Sequence, residues 1–173
     1  NRLFDTYTAA LAELLPAADS VRDAEDAWFF VHSLCERIWA WRFLYRDLNL
    51  LLSRNRHLEA GMRQVLLAQT AALRRLLAGL QGHGSLRLPA DEADALATRQ
   101  VVLLSYWLSY EYALDPRHAL EAEGEATAAL RGAGQALGLL LPYLVPAQQE
   151  LLRHLLRAYT TEQPPGKSGV PHE

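Results

Sequence analysis

The sequence predicts an all-α fold, and three observations support this prediction. Leu and Ala are strong helix formers and number 35 and 27 among the 173 residues, whereas the strand-favouring Val and Ile number 7 and 1. Apolar residues recur at intervals of three and four along most of the chain. Proline and glycine divide these periodic segments into pieces of helical length. A β-sandwich or a parallel-sheet nucleotide-binding fold is therefore not expected.

The first half of the chain contains four predicted helices. The first is amphipathic and ends near Pro16, because proline cannot continue a helix. Ser20 and Asp23 have the spacing of a capping box, so the second helix is expected to begin at about residue 21. Asn55 is a good N-cap for a long fourth helix, which Gly82–Gly84 ends. These helices are predicted over residues 1–15, 21–41, 41–52 and 57–81.

The second half contains three more predicted helices. The fifth spans residues 91–113. Asp115–Pro116 then breaks the chain as an N-cap with proline at the first helical position, and the sixth helix runs from there to about Leu141. Pro146 starts the seventh helix. No internal repeat of about 20 to 50 residues is found, so a solenoid is not predicted.

Charge, cysteine content and hydropathy exclude several classes of protein. The formal net charge is −3, from 17 basic and 20 acidic residues, which argues against coating nucleic acid by charge alone. The single cysteine, Cys35, excludes an internal disulfide and a Cys-rich zinc site. The longest apolar stretch, residues 101–114, contains two serines and Glu111 and is shorter than the roughly 20 residues that span a bilayer. Since residues 1–15 are no signal peptide, a cytoplasmic protein that does not enter membranes is expected.

Catalytic motifs are absent from the sequence. It contains no G-x-S-x-G, no glycine-rich phosphate loop and no H-E-x-x-H. A helical di-iron site needs two Glu-x-x-His pairs and further glutamates, whereas Glu150 and His154 are four residues apart and no second pair of this kind exists. The chain is therefore predicted not to be an enzyme and to bind no cofactor or metal.

The fifth and sixth predicted helices have unusual faces. The fifth is apolar on two sides, whereas a surface helix has one apolar stripe. In the sixth, small residues recur every four positions from Gly124 to Ala136, although glycine inside a helix costs about 1 kcal/mol relative to alanine. Either these faces pack tightly inside one subunit, or they form a four-helix interface between two copies. The second interpretation predicts a homodimer with these interface residues: Leu104, Leu108, Tyr112, Gly124, Ala128, Gly132 and Leu139.

A binding pocket is expected between helices, because sites in helical folds are apolar clefts with a few polar groups. His32 and Glu36 are four residues apart and share a face of the second helix with aromatic residues. The alternative is an ordinary core histidine beside a surface glutamate. The predicted pocket residues come from the second to fifth helices: Phe29, His32, Ser33, Glu36, Phe43, Met62, Leu66, Gln69, Tyr106 and Tyr110. Arg42, Arg46 and Asp47 are instead expected to form an internal ion-pair cluster that holds the third helix.

Two stretches resemble one subgroup of C-terminal domains in the TetR family of bacterial transcriptional regulators. The first is W-R-F-L-Y-R-D at residues 41–47, followed by the leucine-rich residues 48–52. The second is Y-W-L-S-Y-E-Y at residues 106–112, followed by Asp115–Pro116. The order of the helices also agrees, over roughly residues 1–160. The resemblance implies a TetR C-terminal-domain-like bundle of about seven helices, two of which form a four-helix dimer interface.

The resemblance also implies a domain organisation. Residues 1–162 would be the ligand-binding and dimerisation domain, with residues 1–15 as the helix that connects it to a DNA-reading head. Residues 1–60 contain no short helix pair with a basic recognition helix, so the N-terminal helix-turn-helix head of the family is expected to be missing from this chain. Operator DNA would then be bound only through that head. Residues 163–173, with three Pro and two Gly, are expected to be a disordered tail.

The resulting hypothesis is the effector-sensing and dimerisation domain of a TetR-like transcriptional repressor. A small apolar or aromatic effector would shift the first helix and so alter operator binding by the head. The alternative is a helical adaptor that binds another protein's helix through the fifth and sixth helices and has no small-molecule ligand. The two differ in stoichiometry, because the regulator domain should be a homodimer, whereas an adaptor purified alone could be a monomer.

Overall fold

The structure is a computed structural model that describes residues 2–117 and 122–157 and, for residues 122–126, the backbone alone. Within these residues the fold is all-α, as predicted, with no strand. The α-helices are α1 (Arg2–Leu14), α2 (Ala24–Ala40), α3 (Arg42–Arg46), α4 (Leu48–Arg54), α5 (Arg56–Gly82), α6 (Glu92–Leu114), α7 (Ala122–Gly138) and α8 (Pro146–Arg157). Two 3-10 helices follow α1 and α7, at Leu15–Ser20 and Leu141–Tyr143.

Two predicted helix starts are confirmed. The Asn55 side chain accepts a hydrogen bond from the Leu58 backbone N–H at 3.1 Å and caps α5. Helix α5 ends at Gly82, and Gly84 has a φ of +75°, a left-handed conformation that favours glycine. Pro146 is the first residue of α8.

The predicted starts of the second and sixth helices are wrong. Ser20 lies in the first 3-10 helix, and the Asp23 side chain caps α2 by accepting from the Asp26 backbone N–H at 2.9 Å. The helix therefore begins at Ala24, because Asp23 itself takes the cap position and no capping box forms. Pro116 lies in a turn rather than at a helix start. Residues 118–121 and the predicted tail lie outside the described residues.

The predicted third helix is two helices. Backbone breaks at Trp41 and Asp47 separate α2, α3 and α4, and neither break is marked by proline or glycine. The side chains of Leu44, Tyr45 and Leu48 are nevertheless all buried, so both short helices pack on the core.

The core lies around α5, which contacts α6 and the first 3-10 helix, while α2 contacts α7 and α8. A Cβ atom on Gly79 would overlap the Val21 carbonyl oxygen, so glycine permits the chain before α2 to cross α5 closely. In the described part of the chain, no helix is both long and apolar enough to cross a membrane. Over the same residues, no group of three His, Cys, Asp or Glu is arranged to hold a metal ion.

Candidate functional site

Three buried polar side chains meet where α1, α3 and α5 come together. Tyr7, Tyr45 and Gln69 are 0%, 1% and 0% exposed. The two phenol hydroxyls are hydrogen-bonded to each other. Gln69 Nε2 donates to the Tyr45 hydroxyl at 3.2 Å and, more weakly, to the Tyr7 hydroxyl at 3.5 Å. Gln69 Oε1 has no hydrogen-bond partner among the described residues. We call these three residues the tyrosine–glutamine cluster.

The aromatic rings of Phe4 and Trp41 pack against Tyr7 of the cluster. The centroid of the Tyr7 ring is 5.6 Å from that of Trp41 and 6.0 Å from that of Tyr45, the latter with the rings at 87°. Burial is the main cause that raises the pKa of Tyr7 and of Tyr45 well above the ordinary value of a phenol. Both hydroxyls are therefore neutral at physiological pH and act as hydrogen-bonding groups rather than as acids or bases.

The cluster supplies the buried polar contact between α1 and the rest of the fold. In α1, the buried side chains are Phe4, Tyr7 and Leu11. Phe4 packs on Gly61 of α5 so closely that a Cβ atom at Gly61 would overlap the Phe4 ring. Helix α1 therefore packs on α5 through the Phe4 ring, and the hydrogen bond between Tyr7 and Tyr45 joins it to α3 and orients it on the core.

The predicted pocket residues fall into three groups. Met62 and Gln69 are fully buried on α5, and Leu66 is half-buried on the same helix. Phe29 and Ser33 line an open groove of about 350 Å³ between the first 3-10 helix and α2. On α2, His32 Nε2 lies 3.4 Å from Glu36 Oε1, and this carboxylate is largely exposed. His32 is therefore a partly buried histidine beside a surface glutamate, Glu36.

The third group lies on the surface. Phe43, Tyr106 and Tyr110 are all exposed, rather than directed between helices. Tyr106 lines a shallow crevice of about 270 Å³, which Tyr45 also lines. The cavities described for this chain thus divide the predicted pocket residues instead of collecting them into one site.

Arg46 and Asp47 of the predicted internal ion-pair cluster do pair, but they lie at the surface. Arg46 Nη2 and Asp47 Oδ2 are 3.0 Å apart, but both side chains are nearly half exposed. The Arg42 guanidinium lies over the Trp39 ring at 5.0 Å from its centroid. An exposed pair contributes only about 0–1 kcal/mol, because solvent screens it. Burial of Leu44 and Tyr45 holds α3 in place instead.

The small residues of α7 have a partner within the same chain. Trp107 of α6 donates from Nε1 to the Ala128 carbonyl oxygen at 2.8 Å. A Cβ atom on Gly132 would lie 2.7 Å from Trp107 Cδ1, so the indole fills the space that glycine leaves. Arg131 donates from Nε and Nη2 to the two carboxylate oxygens of Glu111, both at 2.7 Å. Packing inside one subunit therefore accounts for the glycine at position 132, and the Ala128 side chain is buried within the same chain.

The other predicted interface residues differ in exposure. Leu104 is buried, Leu108 and Leu139 are half-buried against the core, and Tyr112 is exposed. Gly124 lies in the part of α7 for which the structure describes the backbone alone. The exposed apolar side of α6 is instead formed by residues that are between 43% and 66% exposed: Val102, Tyr106, Tyr110 and Leu114. We call this surface the α6 apolar face.

A comparison with protein families identifies the chain. The sequence model of the family described as "TetR: Bacterial transcriptional repressor" matches residues 6–152. The chain belongs to the TetR family. The match begins at residue 6 and does not bear on the expectation that the DNA-reading head is absent.

The fold agrees with a solved TetR-family structure. A transcriptional regulator of this family from Marinobacter aquaeolei VT8 is 24% identical in sequence and superposes with a TM-score of 0.69, covering 90% of this chain and 76% of that chain. At this identity the likeness concerns the fold alone. The comparison with curated proteins returned no match.

The TetR assignment bears on the classes considered from the sequence. The family and fold are those of transcriptional regulators, which are not enzymes. Regulators of this family bind operator DNA and usually dimerise. The adaptor alternative is not favoured.

The sequence analysis did not predict Tyr7 and Tyr45 as site residues. The signal that could have identified them is a phenol at each of two buried helical positions.

Proposed function

We propose that this chain is the effector-sensing and dimerisation domain of a TetR-family transcriptional regulator, and that α1 carries the response. A small molecule would shift α1 and so alter operator binding by a helix-turn-helix head linked to that helix. The observation that supports this most strongly is the burial of Tyr7 at the middle of α1, with its hydroxyl bonded to Tyr45 and near Gln69. Because Tyr7 is held in this way, a displacement of the core would move α1 with it.

The physical argument is one of linkage between two sites. Hydrogen bonds weaken steeply when their length or angle departs from the preferred geometry. A rearrangement of α3 or α5 therefore changes the free energy that holds α1. An effector that binds one arrangement better than the other shifts the population by its differential affinity and no more.

The side of α5 that carries Met62, Leu66 and Gln69 is where we propose that the effector acts. Gln69 Oε1 is buried without a described partner, and a buried polar atom that lacks a hydrogen bond costs about 1–3 kcal/mol. An apolar or aromatic molecule with one hydrogen-bond donor would remove that cost. It would have to displace the packed rings of the tyrosine–glutamine cluster, and this displacement is the proposed signal.

We also propose that the domain is a homodimer, with α6 at the interface. The supporting observation is the α6 apolar face, which the chain itself leaves exposed. An interface that includes this face differs from the predicted one, because Leu104 and Gly132 are used inside the subunit. A four-helix contact of α6 and α7 from each copy remains the proposed geometry.

Native mass spectrometry of the purified chain tests both parts of the proposal. We expect a mass near twice 19.4 kDa. We also expect, in protein as purified, an added mass that is lost under denaturing conditions, which would be a captured effector. A monomer without added mass at micromolar concentration would contradict the proposal.

The role of α1 is tested by Tyr7→Phe, which removes one hydroxyl and keeps the ring. We expect faster amide hydrogen exchange across residues 2–14 by about tenfold, because loss of a buried hydrogen bond costs about 1–2 kcal/mol. Tyr112→Phe is the matched control, since Tyr112 is exposed and lies far along the chain on α6. Equal exchange in α1 for both variants would show that the cluster does not hold this helix.

A further inference from the structure

The groove that Phe29 and Ser33 line has the size of a ligand site. It measures about 350 Å³ and lies between the first 3-10 helix and the N-terminal half of α2. Small-molecule sites in proteins occupy about 300–1,000 Å³. Three consecutive aromatic residues, Trp28, Phe29 and Phe30, are part of its lining.

Phe29 is the unusual member of this lining. It is 67% exposed, the largest exposure among the big apolar side chains of the described residues. Phe30, the next residue, is buried in the core, so the same turn of α2 presents one ring inward and one to solvent. An aromatic side chain buries about 150–250 Å² when it is covered, so an occupant of the groove would gain contact area here.

Acidic residues outnumber basic ones around the groove, although two of their carboxylates are paired with arginines, Asp19 with Arg75 at 2.6 Å and Asp26 with Arg22. Four of the eight residues from Asp19 to Asp26 are acidic and only Arg22 is basic. Asp26 pairs with Arg22 at 3.5 Å, while Glu25, which also lines the groove, has no cationic partner in the described part of the chain. No Lys or Arg is found among the described residues that line the groove. Its chemistry is therefore aromatic and acidic.

We propose that this groove binds an organic cation that carries aromatic or bulky apolar groups. A cation is attracted to the face of an aromatic ring and to the carboxylate of Glu25, while its apolar groups cover Phe29. A neutral or anionic molecule of the same shape lacks the first two contributions. The site is separate from the tyrosine–glutamine cluster and does not depend on the proposed function.

Calorimetric titration with tetraphenylphosphonium tests the proposal, and tetraphenylborate is the comparison of similar shape and opposite charge. We expect the phosphonium to bind and the borate to bind at least about tenfold more weakly. Phe29→Ala should weaken phosphonium binding about tenfold, and Glu25→Gln about threefold. Phe43→Ala and Glu36→Gln are matched controls, because they remove an exposed ring and an exposed carboxylate outside this groove.

Three results would overturn the proposal. The first is equal binding of the two probes, and the second is an equal loss in the groove and control variants. The third is a change of sedimentation coefficient in Phe29→Ala, which would make the groove a contact between copies. Because Phe29 and Glu25 are exposed, both variants should keep the helical circular dichroism and melting temperature of the parent chain. The first two results leave the dimer mass that tests the proposed function unaffected, whereas the third would place a contact between copies at the groove.

Discussion

At the scale of single residues, two buried polar side chains, Gln100 and Ser85, join separate parts of the fold. Gln100 donates from Nε2 to the Ala136 carbonyl oxygen at 3.1 Å and so joins α6 to α7. Ser85 donates to the Arg22 carbonyl oxygen at 2.7 Å and joins the segment after α5 to the segment before α2. A leucine at either position would add apolar burial but would specify no distance or direction. These polar contacts therefore fix the register of helices whose apolar faces alone would pack in several ways.

Cys35 provides a prediction at this scale, since its thiol is buried on α2. Burial is the main cause that raises its pKa from 9.0 to about 12, and the charge of Glu36 adds to this effect. The thiolate is the nucleophile, so reaction with Ellman's reagent at pH 8 should be at least about 100-fold slower in the folded chain than in guanidinium. Equal rates in the two conditions would contradict the burial of this thiol.

The raised pKa of Cys35 also predicts how the free energy of unfolding depends on pH. Because the folded pKa lies above the unfolded one, the folded state binds this proton more tightly. The contribution to stability is complete below pH 9.0 and is lost as the pH rises toward about 12. Tyr7 and Tyr45 act in the same direction at higher pH. The free energy of unfolding, measured by chemical denaturation, should therefore fall from pH 9 upward.

At the scale of elements, α5 is the helix on which other segments rest, and its glycines show how closely they approach. Gly61 contacts the Phe4 ring of α1, and Gly79 contacts the Val21 carbonyl oxygen before α2. Gly82, at the end of the same helix, has no heavy atom within 4 Å of the Cβ position. A side chain such as Phe4 can move aside, whereas a backbone carbonyl cannot move without displacing its segment.

These differences predict a ranking of three alanine variants of α5. Gly79→Ala should lower the free energy of unfolding most, by about 2–3 kcal/mol, and Gly61→Ala by about 1–2 kcal/mol. Gly82→Ala should be neutral or raise it by up to about 1 kcal/mol, because alanine favours the helix. Urea denaturation measures all three, and Gly82→Ala is the control for propensity. Equal changes in the free energy of unfolding for Gly79→Ala and Gly82→Ala would contradict the close contact between Gly79 and the Val21 carbonyl oxygen.

The sequence predicted a helix start correctly only where a single residue nearby could cap or begin the helix. Asn55 and Pro146 start helices as predicted, because nothing nearby competes for the cap or the first turn. Ser20 and Asp23 can both cap a helix, and spacing alone cannot decide between them. The break at Asp47 has no sequence mark, since packing of Tyr45 and Leu48 determines it.

At the scale of the whole molecule, periodicity predicted which helices are apolar but not which side of each faces inward. Helix α6 is apolar on two sides, and the prediction assigned Tyr106 and Tyr110 to a pocket and Leu104 to an interface. In the fold Leu104 is inside, while Tyr106 and Tyr110 are exposed. The tyrosine–glutamine cluster was missed for the same reason, because Tyr7, Tyr45 and Gln69 come from three helices whose arrangement only the tertiary structure supplies.

The exposed side of α6 leads to a prediction about assembly. Val102, Tyr106, Tyr110 and Leu114 are four residues apart and form one stripe on the helix, and this stripe is the surface that we propose as the contact between copies. A carboxylate buried without a partner in that contact costs several kcal/mol. Tyr110→Glu should therefore weaken the dimer by at least about 100-fold.

Sedimentation velocity over a range of protein concentrations measures this dissociation. Leu67→Glu is the matched control, because Leu67 is also an exposed apolar residue, about half accessible, but lies on α5. We expect the control to remain dimeric with the parent chain while Tyr110→Glu sediments as a monomer of unchanged helical content. If Leu67→Glu dissociates and Tyr110→Glu does not, the contact between copies uses α5 instead. The α6 apolar face would then require another partner to cover it.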